Sequence, residues 1–135
     1  MTMDWKSKTS VGPFRFGESI SMYISAFNLE CVEDPTDCTG WNSFNYNDDE
    51  LQIHCEGNLI VSIACYRSFV VDGKEIIGLP LREAKLLLCS EPDEFGDPLI
   101  ISDEWQIPVE FYDFSIQVWV SEQHPHTVNA VIATG

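Results

Sequence analysis

The sequence predicts an α+β fold in which two helices pack on one face of a mostly antiparallel β-sheet. Two segments have the apolar periodicity of a helix, each is followed by short segments that alternate like strands, and the two helical segments are similar to one another. A chain of 135 residues has the length of one domain. We therefore expect a single domain, residues 1–135, built from two tandem helix-then-strands units, residues 10–71 and 72–135.

The first unit begins with a short strand and a helix. Phe14 and Phe16 lie on one face of the strand-like segment VGPFRF. After Gly17, four apolar residues follow the spacing i, i+3, i+4 and i+7 of an amphipathic helix, and Ser19 is placed to cap its N-terminus. These four residues are Ile20, Tyr23, Ile24 and Phe27.

Strands and hairpins complete the first unit. The segments WNSFNYN, LQIHCE and LIVSIACYR are strand-like, and the last two, joined by the turn EGN, are predicted to form a hairpin. A second hairpin is predicted in FVVDGKEII, because Asp72-Gly73 between apolar runs favours a type I′ turn. In the strand LIVSIACYR the alternation predicts four residues on the buried face: Leu59, Val61, Ile63 and Cys65.

The second unit contains the longer helical pattern. In GLPLREAKLLLCS, Pro80 suits the first turn of a helix. The strand-like segments LIISD, PVEFYDF, SIQVWVS and TVNAVIATG follow, and Trp119 is expected on the face opposite Val118 and Val120. The apolar face of the helix is formed by Leu81, Ala84, Leu87 and Leu88.

The two-unit interpretation depends on one regularity. Residues 16–27 and 77–88 align with an offset of 61 residues, and each segment begins with the pattern apolar-Gly-x-(Ser/Pro)-apolar before a helix. A loop and then a series of strands follow in both cases. This similarity predicts that both helices cover the same face of the sheet.

Acidic residues greatly outnumber basic ones. Lys and Arg total 7, Asp and Glu total 22, and the net charge is −15. Nucleic acids and anionic membrane surfaces are bound through Lys and Arg, so we predict that the chain binds neither. A basic protein would be attracted, because the summed field of the charges speeds association. The alternative is that the charge only keeps the protein soluble.

The N-terminus and the cysteines indicate a cytoplasmic protein. Residues 1–10 lack the apolar region of a secretory signal, and no apolar run is long enough to span a membrane. The five cysteines form no CxxC motif, and Cys55 and Cys65 lie in apolar strands, where a reduced cysteine behaves as a small hydrophobe. Cys31 and Cys38 are spaced so that they could form a disulfide in an oxidising compartment.

We predict no metal, cofactor or catalytic residue. Asp93, Asp97 and Glu104 fall at positions 1, 5 and 12 of a calcium loop, but position 6, where the loop needs Gly, is Pro98. The adjacent residues of the pair His54-Cys55 point to opposite faces of a strand, and His124-x-His126 lacks further ligands. The chain also has no GxSxG motif and no Gly-rich phosphate loop. An enzyme without a recognisable motif is therefore the third hypothesis for its function.

The most distinctive segment is EPDEFGDPLIISDEW, residues 91–105, in which six carboxylates surround two aromatic rings. Aromatic side chains ringed by charge are typical of protein-binding surfaces. A second acidic group, DDE, lies at 48–50, and the two groups would share one side of the sheet in the two-unit fold. The predicted partner-binding residues are Asp93, Glu94, Phe95, Asp97, Asp103, Glu104 and Trp105, together with Asp48, Asp49 and Glu50.

The chain also resembles a class of small bacterial proteins. The segment VGPFRFGESISMYISAFNLE, the hairpin LQIHCEGNLIVSI and the helix IIGLPLREAKLLL are similar in pattern to immunity proteins, which are encoded beside polymorphic or contact-dependent growth-inhibition toxins. The resemblance covers residues 10 to about 120 and carries no fixed functional residue. It implies a protein that is monomeric when free and that neutralises a basic, nuclease-type toxin domain. The alternative is an acidic interaction domain with no inhibitory role.

Overall fold

The computed structural model describes residues 3–33, 41–48 and 50–135. Within these residues the protein consists mostly of antiparallel β-strands, arranged in a large central sheet and two smaller ones. The smaller sheets are formed by β1 (Trp5–Lys6), β2 (Ser10–Val11) and β3 (Phe14–Arg15), and by the hairpin of β8 (Val70–Val71) and β9 (Lys74–Glu75).

The central sheet has nine strands in the order β10-β12-β13-β14-β7-β6-β5-β4, with β11 also paired to β12. Every pair is antiparallel, and β7 and β14 join the two halves at the centre. The first half contains β4 (Glu30–Glu33), β5 (Trp41–Tyr46), β6 (Leu51–Glu56) and β7 (Leu59–Cys65). The second half contains β10 (Glu94–Phe95), β11 (Leu99–Ile101), β12 (Glu104–Phe111), β13 (Ile116–Ser121) and β14 (Val128–Thr134).

One face of the central sheet, here called the inner face, carries the core. The strands alternate in burial, so that β6 and β13 bury every second residue against this face. Buried residues of β2, β3 and the helix α2 (Leu81–Leu88) belong to the same apolar cluster. The remaining helical elements are the short helix α1 (Ser21–Ile24) and a 3₁₀ turn at Tyr112–Phe114.

Several local predictions are confirmed. Residues 51–65 form the expected hairpin, and β8 and β9 pair across Asp72 and Gly73, both of which have the positive φ of a type I′ turn. The helix α2 begins directly after Pro80, where a missing N–H costs no hydrogen bond. Val118 and Val120 are fully buried.

The predicted fold class is wrong. Strands make up 50% of the chain and helices 12%, and one continuous sheet of nine strands replaces two helices packed on a sheet in tandem units. The first predicted helix is a single turn, α1, and its N-cap is Ile20, with no side-chain cap from Ser19. Residues 17–20 instead bond to the start of β7: Gly17 N–H donates to Ile60 O and Ile20 N–H to Asn58 O, both at 2.8 Å.

Residue preferences explain why α1 stays short. Asn28, just beyond it, adopts a positive φ of 54°, which ends a helix. The segment also contains three serines, which compete for backbone hydrogen bonds and favour turns over helix interiors. Its apolar residues are nevertheless used: Tyr23 and Phe27 pack with Phe14, at ring-centroid distances of 5.3 and 5.1 Å.

A β-bulge makes the buried residues at the start of β7 differ from those predicted. The register shifts between His54 and Cys55, so that Ile60 is buried and Leu59 is 46% exposed. One extra residue in a strand reverses the face of the residues beyond it, and this shift leaves no mark in a hydrophobic pattern.

Replacement of Phe14 by Ala should destabilise the fold by about 3–5 kcal/mol, because Phe14 is fully buried and its loss leaves a cavity among three aromatic rings. Urea unfolding followed by tryptophan fluorescence measures the loss. Leu86→Ala is the control, since this side chain on α2 is 75% exposed and its removal should change the free energy of unfolding by less than about 0.5 kcal/mol. Equal effects of the two substitutions would contradict the described core.

Candidate protein-binding surface

Residues 91–105 form one edge of the central sheet. Both β10 and β11 pair with β12, whose other side pairs with β13. Phe95 lies opposite Val109, and Ile100 lies opposite Trp105. The acidic segment is therefore a pair of short edge strands, held in place by a long strand whose inward residues belong to the core.

Pro108 and Gly96 explain why the edge is divided into two strands. Pro108 has no N–H, so it cannot complete a ladder with an edge strand. Gly96 crosses opposite it and donates its own N–H to Pro108 O at 2.8 Å. A Cβ at Gly96 would lie 2.7 Å from Pro108 Cγ, so only glycine allows this close approach. A two-residue turn with positive φ at Ser102 and Asp103 then joins β11 to β12.

This edge carries an unusual concentration of exposed apolar side chains. Among the described residues, six of the eleven large apolar side chains that are exposed lie between Phe95 and Tyr112. Exposed apolar residues are ordinarily scattered, and a contiguous group of them marks an interaction site. We call this group and its carboxylates the edge surface: Phe95, Leu99, Ile100, Ile101, Trp105 and Tyr112, with Asp93, Glu94, Asp97, Asp103 and Glu104.

The apolar residues of the edge surface point to both sides of the sheet. The register places Phe95, Ile100 and Trp105 in line with the inner face, to which Val109 belongs. Leu99 and Ile101 alternate with Ile100 and therefore point to the outer face. A partner that touches all of them must approach the strand edge itself.

The carboxylates of the edge surface have almost no cationic neighbours. The side chains of Asp97, Asp103 and Glu104 are exposed and form no hydrogen bond or ion pair within the described part of the chain. Of the six carboxylates in residues 91–105, only Glu91 meets a base there, at 3.1 Å from Lys85 Nζ. The negative charge of this edge is therefore available to an external cation.

Asp93 and Glu94 bind Tyr112, at the end of β12. The Tyr112 N–H donates to Asp93 Oδ2 at 2.7 Å, and the Tyr112 hydroxyl donates to Glu94 Oε2. The hydrogen bond to Glu94, with smaller contributions from desolvation and the neighbouring negative charges, raises the pKa of Tyr112 from 10.0 to about 12. These two carboxylates thus position an exposed aromatic ring beside β10.

The second predicted acidic group lies apart from the first. Asp48 and Glu50 lie in the turn between β5 and β6, and Asp49 is outside the described residues. Since β6 is four strands from β12 and neighbouring strands are ~4.8 Å apart, the two groups are separated by at least ~19 Å across the sheet. The turn before β6 and the turn before β12, which contains Asp103, lie toward the same end of the sheet, because β6 and β12 run in the same direction. They do not form one continuous patch.

Sequence reasoning missed part of the surface. The sequence predicts a strand over Leu99, Ile100 and Ile101 but not their exposure, and it does not distinguish Tyr112 from the other residues of PVEFYDF. The one signal in the sequence was the position of LII between carboxylates on both sides. A groove of about 360 Å³ on the outer face, also unforeseen, adjoins the surface at Ile101 and is lined in addition by Gln106, Trp119 and Asn129.

Two of the candidate metal ligands of the sequence, His54 and His126, have polar partners of their own. His54 Nδ1 lies 2.9 Å from Ser43 Oγ, and His126 Nδ1 lies 2.9 Å from the carbonyl oxygen of Ser121. Within the described residues no group of three or more His, Cys, Asp or Glu is arranged to hold a metal ion. Burial raises the pKa of the Cys55 thiol to about 11, so that it is protonated at neutral pH. Cys38, which is spaced so that it could pair with Cys31 in an oxidising compartment, is outside the described residues.

Comparison with known proteins adds no relative. No protein-family model, curated protein or solved structure matches the chain. Among the described residues, no helix has both the length and the hydrophobicity to cross a bilayer.

Replacement of Gly96 by Ala should destabilise the protein by about 1–3 kcal/mol, because the new methyl group meets the rigid Pro108 ring. Urea unfolding gives the loss. In a Pro108→Ala background the same substitution should cost much less, since the obstructing ring atom is gone. Additive effects of the two changes would show that the contact between residues 96 and 108 is not what requires glycine.

Removal of the Glu94 charge should lower the pKa of Tyr112 from about 12 toward 10.0, because the carboxylate favours the neutral phenol. Because the folded-state pKa is raised, the hydrogen bond stabilises the fold below pH ~10, and this stabilisation is lost as the pH rises through the raised pKa. Absorbance titration at 295 nm of Glu94→Gln, with Tyr112→Phe to assign the step, tests this. Identical curves for the wild type and Glu94→Gln would contradict the hydrogen bond.

Proposed function

We propose that this chain is an immunity protein, which binds a basic toxin domain, of nuclease type, through the edge surface and thereby covers the active site of the toxin. The observation that supports the proposal is the cluster of exposed apolar side chains on β10, β11 and β12, set among carboxylates that lack cationic partners within the described residues.

The apolar residues supply the contact area that such binding needs. Trp105 is 51% exposed and Phe95 is 58% exposed, so both can bury substantial surface on contact. Aromatic residues near the centre of an interface usually contribute most of its binding energy. Phe95 is carried by β10, which pairs with β12, and Trp105 is carried by β12 itself, so both rings are held by the sheet and lose less entropy when they bind.

The carboxylates supply the preference for a basic partner. A nuclease is positively charged around its active site because its substrate is a polyanion. Asp97, Asp103 and Glu104 would meet such a site as the phosphates do, and the net charge of −15 would speed the encounter. An exposed ion pair contributes under about 1 kcal/mol, so these charges govern the association rate while the rings govern dissociation.

The proposal requires a toxin encoded by a neighbouring gene, and the test uses the purified C-terminal domain of that gene's product, here called the toxin domain. Trp105→Ala should raise the dissociation rate constant at least about tenfold, while Glu104→Lys should lower the association rate constant and weaken its dependence on salt. Surface plasmon resonance at several ionic strengths measures both. In cells that produce the toxin, the two variants should protect growth less than the wild type does.

Matched controls separate the edge surface from the rest of the protein. Leu86→Ala removes an exposed apolar side chain from α2, and Glu56→Lys makes the same charge reversal at the far end of β6. Both controls should bind and protect like the wild type. If Glu56→Lys slows association as much as Glu104→Lys does, the effect is one of net charge and the assigned surface is wrong. If the wild-type chain does not bind the toxin domain, the proposed function is wrong.

A further inference from the structure

The outer side of β11 has unused backbone hydrogen-bonding groups. Trp105 O accepts a hydrogen bond from Glu122 N–H at 3.0 Å, so the backbone of Trp105 is turned toward β13 and away from β11. In an antiparallel ladder the residue opposite such a position is not hydrogen-bonded to it. That residue is Ile100. Its N–H and C=O therefore point outward, to the open side of the sheet.

Within β11 no residue protects the edge from pairing with another chain. Edge strands are generally protected by short length, by charged residues, by Pro or by a bulge. β11 is short and directly follows Pro98, but the strand itself has no charge, Pro or bulge. Leu99, Ile100 and Ile101 are three consecutive aliphatic residues, each more than a third exposed, and their register with β12 is regular. In the described part of the chain, β11 pairs with β12 alone. The strand is thus open in both its backbone and its side chains.

We propose that β11 accepts an extended segment of the partner as an additional strand of the central sheet, a proposal that rests on the protein-binding function above. The segment pairs with the backbone of Ile100 and packs apolar side chains on those of β11. It carries Lys or Arg at both ends, because Asp97 precedes β11 and Asp103 and Glu104 follow it. The occupant is therefore a short basic strand that belongs to another protein.

Charge argues against a second copy of the chain as the occupant. Two copies paired along β11 would bring two bodies of charge −15 together. The antiparallel pairing would also place the carboxylates at the ends of one β11 beside those of the other. Like charges across neighbouring strands destabilise the pairing. A basic strand meets the same carboxylates with attraction.

Two substitutions at one position separate backbone pairing from side-chain contact. Ile100→Pro removes the outward N–H and places a ring where the added strand would lie, yet breaks no bond to β12. Ile100→Ala removes the side chain and keeps the N–H. With the toxin domain as the probe, Ile100→Pro should raise the dissociation constant at least about tenfold more than Ile100→Ala does. Isothermal titration calorimetry measures both constants, and urea unfolding checks that each variant is folded.

The outcomes distinguish this proposal from the function on which it rests. Equal dissociation constants for Ile100→Pro and Ile100→Ala, with tight binding by the wild type, overturn strand addition and leave the proposed function intact. A wild type that does not bind the toxin domain overturns both. A wild type that dimerises in sedimentation velocity, with the dimer abolished by Ile100→Pro, overturns the heterologous occupant in favour of a second copy.

Amide hydrogen exchange tests the same geometry without a variant. In the free protein the Ile100 amide should exchange rapidly, while the Leu99 and Ile101 amides, which face β12, should be protected. Addition of the toxin domain should slow exchange at Ile100 at least about tenfold. An Ile100 amide that is already protected in the free chain, or one unaffected by the toxin domain, would contradict strand addition.

Discussion

The pairing of β7 with β14 holds the two halves of the molecule in one sheet, and the rest of the structure depends on it. Ile63 and Cys65 lie opposite Ala133 and Val131, and all four are fully buried. Each half of the sheet is a meander that could satisfy its own hydrogen bonds but would expose one strand at the centre. Because β7 and β14 cover one another, the inner faces of both halves form a single core. Within residues 3–33, 41–48 and 50–135, the remaining open strands then lie at the outer edges, β4 on one side and β10 and β11 on the other.

Most strands were predictable because they are half-buried and solvent lies on their other face. Leu51 and Ile53, or Val118 and Val120, alternate with polar residues, and such alternation has no other common explanation. The helical prediction for residues 20–27 failed for a related reason. Four apolar residues at helical spacing do pack against the core, but a single turn and the following αL residue place them there as well as a long helix would. Periodicity reports which side chains are buried, and only over greater lengths does it identify the element that buries them.

The candidate surface was predictable in composition but not in shape. Carboxylates around Phe95 and Trp105 could be seen in the sequence, because charge and aromaticity belong to residue types. Leu99, Ile100 and Ile101 are exposed because no strand of the described residues pairs with the other side of β11. This is a property of the strand order in the sheet. The separation of at least ~19 Å between Asp48 and the edge surface has the same origin, since the number of intervening strands is set by pairings between residues far apart in the chain.

An exposed aliphatic edge is ordinarily a hazard, because it pairs with any strand that reaches it. The chain keeps this edge open and places its protection at the ends, with Asp97 before β11 and Asp103 and Glu104 after it. Carboxylates in these positions repel acidic chains, including other copies of this protein, and attract basic ones. In a protein of positive net charge, lysines at these positions would prevent self-association equally well, but they would repel a basic partner. In the proposed strand addition, the sign of the charge selects which strand can add to the sheet, and the exposed apolar residues determine how firmly it is held.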